Sequence, residues 1–141
     1  MFNLKYKAMK KVIFSIILMF ALTSCATIIK FPVSIIVPTA EIVAKINKDK
    51  QNNFKISISA NYLASPDRLT PPMKTYVVWI VTKENGVTNI GQMKSENAKK
   101  NTLETLSTFE PLEIFITAEN EGAIPSPSGI EISRINLKKN D

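Results

Sequence analysis

The chain has 141 residues, with 18 lysines and arginines against 12 acidic residues, which gives a formal net charge of +6. This length allows one domain, and the single cysteine excludes a disulfide scaffold and a thiolate metal cluster. Because there is no histidine, serine–histidine–aspartate triads, cysteine–histidine dyads and histidine-ligated metals are excluded as well.

The first 24 residues have the parts of a secretory signal peptide. Residues 1–11 are basic, residues 12–22 are apolar apart from Ser15, and Leu22-Thr23-Ser24-Cys25 follows. These four residues resemble a bacterial lipobox, in which the cysteine is lipidated and becomes the first residue of the mature chain. The alternatives are an uncleaved anchor, although a spanning helix needs about 20 apolar residues, and plain secretion without lipidation. Met9-Lys10-Lys11 is an equally good start for the signal.

We therefore expect a cleaved signal peptide over residues 1–24, a lipidated Cys25 with a tether to residue 40, and a folded domain over residues 41–138. A lipoprotein cysteine carries several acyl chains, palmitate among them, and stable anchoring takes about two. Ala26 stands where Asp would resemble an inner-membrane retention signal. This implies an extracytoplasmic protein on the periplasmic face of an outer membrane.

The remaining chain predicts short strands and no helix. A first strand is expected near residues 34–37, between two prolines. Alternation of apolar and polar residues predicts further strands over residues 41–47, 54–60, 112–118 and 130–137. Residues 95–101 and 119–129 are predicted loops. Residues 102–108 are predicted to form a strand with only a weak alternating pattern.

Residues 75–82 are apolar on both faces, which predicts a central strand covered on each side, with Trp79 as a core anchor. Asn85-Gly86 follows and predicts a hairpin turn into a partner strand over residues 87–94. Together these segments predict an all-β fold, an antiparallel immunoglobulin-like β-sandwich of about seven strands after an N-terminal signal helix.

Several short motifs in the second half carry a resemblance to a known group. They are Tyr76, Trp79 and Val81 in the predicted strand over residues 75–82, then Asn85-Gly86, Asn89-Ile90-Gly91, the run from Phe115 to Glu119, and the run from Pro125 to Gly129. This region resembles the extracytoplasmic domain of anti-sigma factors of the sigma-K regulator type, and also small Bacteroidota-type lipoproteins of unassigned activity. Those anti-sigma factors hold their sigma factor with a cytoplasmic domain, for which the eleven residues before the apolar run leave no room.

The side chains that carry chemistry are sparse, and we expect no catalytic, cofactor-binding or metal-binding residues. Asp67-Arg68 is interpreted as an ion pair or turn cap rather than a ligand site. Glu119 and Glu121 offer too few oxygens for calcium, so we interpret Glu119 as a hydrogen-bonding residue at a strand end. Four lysines of one hairpin favour a solvated face over a nucleic-acid site, because from Cys25 onward the net charge is only +2. They are Lys45, Lys48, Lys50 and Lys55.

Two functions remain open. The first is a membrane-anchored lipoprotein whose non-catalytic β-sandwich is an interaction module in the cell envelope, with a possible protein partner and no nucleic acid or metal. The second is an envelope ligand-sensing or regulatory domain like the outer domain of the anti-sigma factors. Neither is an enzyme.

Overall fold

The structure is a computed structural model that describes residues 5–11 and 25–138. Residues 5–11 form a short helix, α1. None of the helices in these two ranges is long and apolar enough to cross a membrane. The remaining elements are nine strands: β1 (Thr27–Lys30), β2 (Glu41–Lys48), β3 (Phe54–Asn61), β4 (Thr75–Thr82), β5 (Gly86–Gln92), β6 (Lys94–Asn97), β7 (Lys100–Ser107), β8 (Glu113–Glu119) and β9 (Ile130–Asn136).

The strands form two antiparallel sheets that pack as a sandwich. One sheet has the order β1-β2-β3-β7-β6 and the other has the order β5-β4-β8-β9. With β1 set aside, strands β2-β3-β7-β6 reproduce the A-B-E-D sheet of an immunoglobulin domain, and β4-β8-β9 its C-F-G sheet. The predicted immunoglobulin-like β-sandwich is confirmed, with nine strands where the sequence predicted about seven.

Two of the predicted boundaries are wrong. Residues 34–37 form a turn, because the Ser34 hydroxyl accepts the backbone N–H of Ile36 at 3.2 Å and of Val37 at 3.0 Å. The strand lies earlier, as β1, which pairs with β2 through four consecutive residues. The predicted tether over residues 25–40 is therefore mostly part of the sandwich, because β1 lies in it and the side chains of Phe31 and Val37 are buried in the main core.

The second wrong boundary is the predicted loop over residues 95–101. Strand β6 covers Lys94–Asn97 and pairs with the first half of β7. All four residues of β6 are exposed and polar, so no apolar side chain shows which face is buried. An edge strand of this polar composition therefore has the sequence pattern of a loop.

The main core lies between the sheets, and it contains most of the residues that the alternating pattern predicted to point inward. In β2 the buried side chains are Ile42 and Ala44, and in β3 they are Ile56, Ile58 and Ala60. The alternate residues of these strands are half-buried or exposed on the outer face of the sheet. These inward side chains pack against those of the facing sheet, which include Tyr76, Val78, Ile80, Ile114, Ile116, Ala118 and Ile132.

A second cluster lies on the outer face of the β4-containing sheet. Val77, Trp79 and Phe115 are buried there, with Val81 and Ile124 packed against them. The loop between β8 and β9, residues 120–129, contributes Ile124 and covers this face; we call it the cover loop. Strand β4 is thus central and covered on both sides, as predicted, although Trp79 faces the cover loop and not the other sheet.

Candidate functional site

Cys25 is exposed and lies two residues before β1, at the end of the sandwich where β2 ends and β3 begins. It carries a free thiol. The remaining predicted lipobox residues, Leu22, Thr23 and Ser24, lie outside the described residues. Because Thr27 already pairs with Ile46, little chain separates the cysteine from the folded unit.

A groove of about 210 Å³ opens beside Cys25. Its apolar walls come from the inward side chains of the first three strands and from the segments next to β8 and β9. Lys48 and Glu110 also line it, and the Lys48 ammonium lies 5.3 Å from the centre of the Phe54 ring. The apolar lining residues are Ile29, Ile46, Phe54, Pro111 and Leu137.

At the opposite end of β1, the loop between β1 and β2 exposes apolar side chains. The side chain of Ile35 is 93% exposed and that of Val33 is 72% exposed. Two contacts fix this loop, since the Ser34 hydroxyl accepts two backbone N–H groups and the Ser133 hydroxyl donates to the Pro32 carbonyl at 3.0 Å. A fixed loop that leaves large apolar side chains in water is typical of an interaction surface.

Glu119 stands at the end of β8 with only 1% of its surface exposed. Its carboxylate accepts the Thr117 hydroxyl at 2.7 Å, and from Ser128 the backbone N–H at 3.1 Å and the hydroxyl at 2.9 Å. The Trp79 indole N–H donates to the Thr117 hydroxyl at 2.8 Å. These bonds join the outer cluster, the end of β8 and the cover loop.

The ionisation of Glu119 follows from these contacts. Burial by itself would raise the pKa of this carboxyl, since it disfavours the charged form. The hydrogen bonds from Thr117, Gly129 and Ser128 stabilise the carboxylate and together outweigh burial, so the pKa lies below its ordinary value. Glu119 is therefore a charged hydrogen-bond acceptor, as expected for a strand-end residue.

Arg134 closes the other side of the outer cluster. Its guanidinium lies 3.9 Å from the centre of the Phe115 ring and pairs with Glu113 at 2.7 Å and Glu131 at 2.8 Å. The hydrogen bonds that Arg134 donates to the Glu131 carboxylate are the main reason that the pKa of Arg134 is raised. Sequence reasoning missed this residue, because its contact with Phe115 depends on the β8–β9 register, in which the two residues are opposite each other.

Several of the residues that carry the resemblance meet on this covered face. Besides Trp79, Thr117 and Glu119, they include Asn89, whose side-chain amide donates to the carbonyls of Gly122 at 2.8 Å and Ile124 at 3.0 Å. The bonds of Asn89 and Glu119 hold the cover loop against the sheet, whereas the Trp79–Thr117 bond joins β4 to β8. The contacts of these motif residues are thus accounted for by folding.

The other residues singled out in the sequence stand apart from one another. Asp67 accepts the Ser65 hydroxyl within a short turn, Pro66–Arg68, so it acts in the local turn. Its charge adds to burial in raising the pKa of Tyr76 to about 12, and the Tyr76 hydroxyl donates to the Ala64 carbonyl at 2.7 Å. Within residues 5–11 and 25–138, no three histidine, cysteine, aspartate or glutamate side chains are grouped so as to hold a metal ion.

The four lysines lie on the hairpin of β2 and β3. Lys45, Lys48, Lys50 and Lys55 are all exposed, or nearly so, and Lys55 pairs with Glu104 at 3.7 Å. Lys45 and Lys55 lie on the outer face of the hairpin, Lys48 lines the groove beside Cys25, and Lys50 lies in the turn between the two strands.

No protein-family profile matches the chain, and no curated protein or solved structure matches it significantly.

Proposed function

We propose that this protein is a membrane-anchored bacterial lipoprotein whose β-sandwich is a non-catalytic interaction module in the cell envelope. Lipidated Cys25 anchors it, on the periplasmic face of an outer membrane, and a protein partner binds the sandwich. The resemblance of its second half to extracytoplasmic domains and small lipoproteins supports this location.

The observation that carries the proposal is that the two ends of the sandwich differ. Cys25 is exposed at one end of β1, and the exposed apolar loop of Val33 and Ile35 lies at the other end. An anchor at Cys25 leaves only Ala26 before the first strand, which holds that end close to the bilayer. The apolar loop is then presented away from the anchor, where a partner can reach it.

The test is a pair of variants of the full chain expressed in a bacterium with an outer membrane. Cys25→Ser removes the thiol that receives the diacylglycerol, so we expect complete loss of fatty-acid labelling and release from the membrane fraction. Ser24→Ala keeps a small residue before the cysteine, and we expect labelling and fractionation to be unchanged. Labelling that persists in Cys25→Ser would disprove the anchor.

The interaction half of the proposal has a separate test. A photo-crosslinking amino acid at Ile35 of the lipidated chain should trap one discrete partner in intact cells. The same amino acid at Ser57, on the outer face of β3, should not trap that partner. If position 35 yields only uncrosslinked monomer at every dose, the apolar loop is not a partner surface.

A further inference from the structure

The outer edge of β1 presents unpaired main-chain groups. The Phe31 N–H donates to the Ile42 carbonyl at 2.9 Å. Thr27 and Ile29 precede Phe31 by four and two residues, so their main-chain groups also face β2. In an antiparallel pair, residues alternate between those that bond the partner strand and those that face away from it. The N–H and C=O groups of Ile28 and Lys30 therefore point away from β2, and no strand in residues 25–138 pairs with that edge.

The other three sheet edges are better protected. Strand β6 is entirely polar, and the pairings of β5, β6 and β9 are each interrupted by a β-bulge or irregularity. Natural proteins use charge and bulges to prevent added strands from pairing at an edge. Strand β1 has an uninterrupted register, and its Ile28 side chain is 68% exposed. It is the edge best suited to accept a strand.

The groove beside Cys25 lies on the inner face of this same edge. Ile29 of β1 is one of its walls, and Ile46, Phe54 and Leu137 form much of the rest. A strand added to β1 would point alternate side chains to that inner face. Most of the residues that line the groove are apolar, and its two charged residues, Lys48 and Glu110, are of opposite sign, so an uncharged apolar side chain fits it.

We propose that the edge of β1 binds an extended segment of another protein, which adds a strand to the five-stranded sheet and places an apolar side chain in the groove. This rests on the proposed function, an interaction module in the envelope, and names the chemistry of its partner. A second copy fits less well, because antiparallel pairing of two β1 strands puts the two Cys25 residues at opposite ends. Two copies anchored in one membrane by so short a connection do not pair in that way.

The experiment uses the full chain in detergent micelles and synthetic peptides of about six residues, the length of an average strand. The peptides alternate threonine with one apolar residue type, which is alanine, valine, leucine or phenylalanine in the four members of the set. We expect saturable changes in the NMR signals of the Ile28 and Lys30 amides, together with slower hydrogen exchange at both. The same peptides N-methylated at alternate amides should not bind, because they lack the donors that face β1.

Two variants of the protein separate main-chain pairing from side-chain contact. Ile28→Pro removes an N–H that points away from β2, so the β1–β2 pairing stays intact while peptide binding falls about tenfold or more. Ile28→Ala removes the exposed side chain and keeps the N–H, so binding should stay within about threefold of the original. Leu137→Asp adds a charge to the groove and should weaken the leucine and phenylalanine peptides most.

Each result decides the proposal. If none of the four peptides changes these amides at about 1 mM, strand addition at β1 is wrong, whatever the outcome of the Cys25→Ser test. If the amides of Ile28 and Lys30 become protected without peptide as the protein is concentrated, the occupant is a second copy and the proposal is overturned. If the labelling experiment shows that Cys25 is not lipidated and the peptides still bind, strand addition at β1 is supported and only the anchor is refuted.

Discussion

At the scale of single residues, Glu119 is a buried carboxylate stabilised by neutral donors. Taking a charge out of water costs free energy unless hydrogen bonds replace the lost hydration. Here the hydroxyls of Thr117 and Ser128 and the backbone N–H groups of Ser128 and Gly129 take that role, and they come from β8 and from the cover loop. The charge therefore stabilises the loop only while it is ionised, which makes its contribution depend on pH.

The sign of this dependence follows from the lowered pKa of Glu119. Its stabilising contribution is fully present above the unfolded value of 4.5 and is lost as the pH falls through the lower folded value. Glu119→Gln replaces an acceptor oxygen with an amide donor that faces Ser128 donors. We expect the free energy of unfolding at pH 7 to fall by about 1–3 kcal/mol, and this deficit to shrink as the pH falls below 4.5.

Urea unfolding between neutral and acidic pH measures both effects. Glu121→Gln is the matched control, because Glu121 is only two residues away but has no resolved contact with the network. It should change the free energy of unfolding by less than about 0.5 kcal/mol. An equal loss of stability in Glu119→Gln at every pH would mean that the charge of this carboxylate contributes nothing.

At the scale of elements, the cover loop returns to the sheet at Gly129. A Cβ atom built there would stand 1.8 Å from the Ala118 carbonyl oxygen and 2.8 Å from Glu119 Oε2. The close approach to backbone cannot be relieved by turning a side chain, so Gly129→Ala must displace the loop. We expect a loss of more than about 2 kcal/mol and a red shift of the fluorescence of Trp79, the only tryptophan in the chain.

Gly122→Ala is the control within the same loop. Its Cβ would also come within 1.8 Å of another atom, but that atom belongs to the exposed side chain of Gln92, which can rotate away. We expect a smaller loss and an unshifted emission spectrum. If both variants behave alike, the close packing at Gly129 does not hold the loop.

The elements that the sequence predicted well are those with one buried face. Strands β2 and β3 alternate over their whole length, because one side faces the core and the other faces water. The prediction was wrong at β1 and β6, which lie at the two edges of one sheet. These two edge strands bury little side-chain surface, so main-chain pairing defines them and their side chains show no regular alternation.

The covered face was predicted only in part. An apolar strand such as β4 signals burial on both sides, and an acidic residue at a strand end signals hydrogen bonding. The partners are far apart in sequence, since Trp79 is bonded to Thr117 and Asn89 to Gly122 and Ile124. Which residues meet depends on the strand order and the register of the sheets, and neither can be deduced from local spacing.

At the scale of the whole molecule, the two clusters share strands β4 and β8. Val78 and Ile116 face the other sheet, whereas Trp79 and Phe115 face the cover loop. Successive residues of a strand point to opposite faces, so neither cluster can be lost without disturbing the strands that carry the other. The sandwich and its cover loop should therefore unfold as one cooperative unit.

Ile58→Ala tests this cooperativity from the opposite sheet. Ile58 lies on β3 with 1% of its surface exposed, and it packs in the cluster that contains Val78. The cavity should lower the free energy of unfolding by about 2–5 kcal/mol. If unfolding is cooperative, the fluorescence of Trp79 and the far-ultraviolet circular dichroism will shift to the same lower urea midpoint.

Ser57→Ala, on the outer face of the same strand, should move both midpoints little. A Trp79 transition that stays in place while the circular dichroism shifts would show that the outer cluster is stable independently of the core.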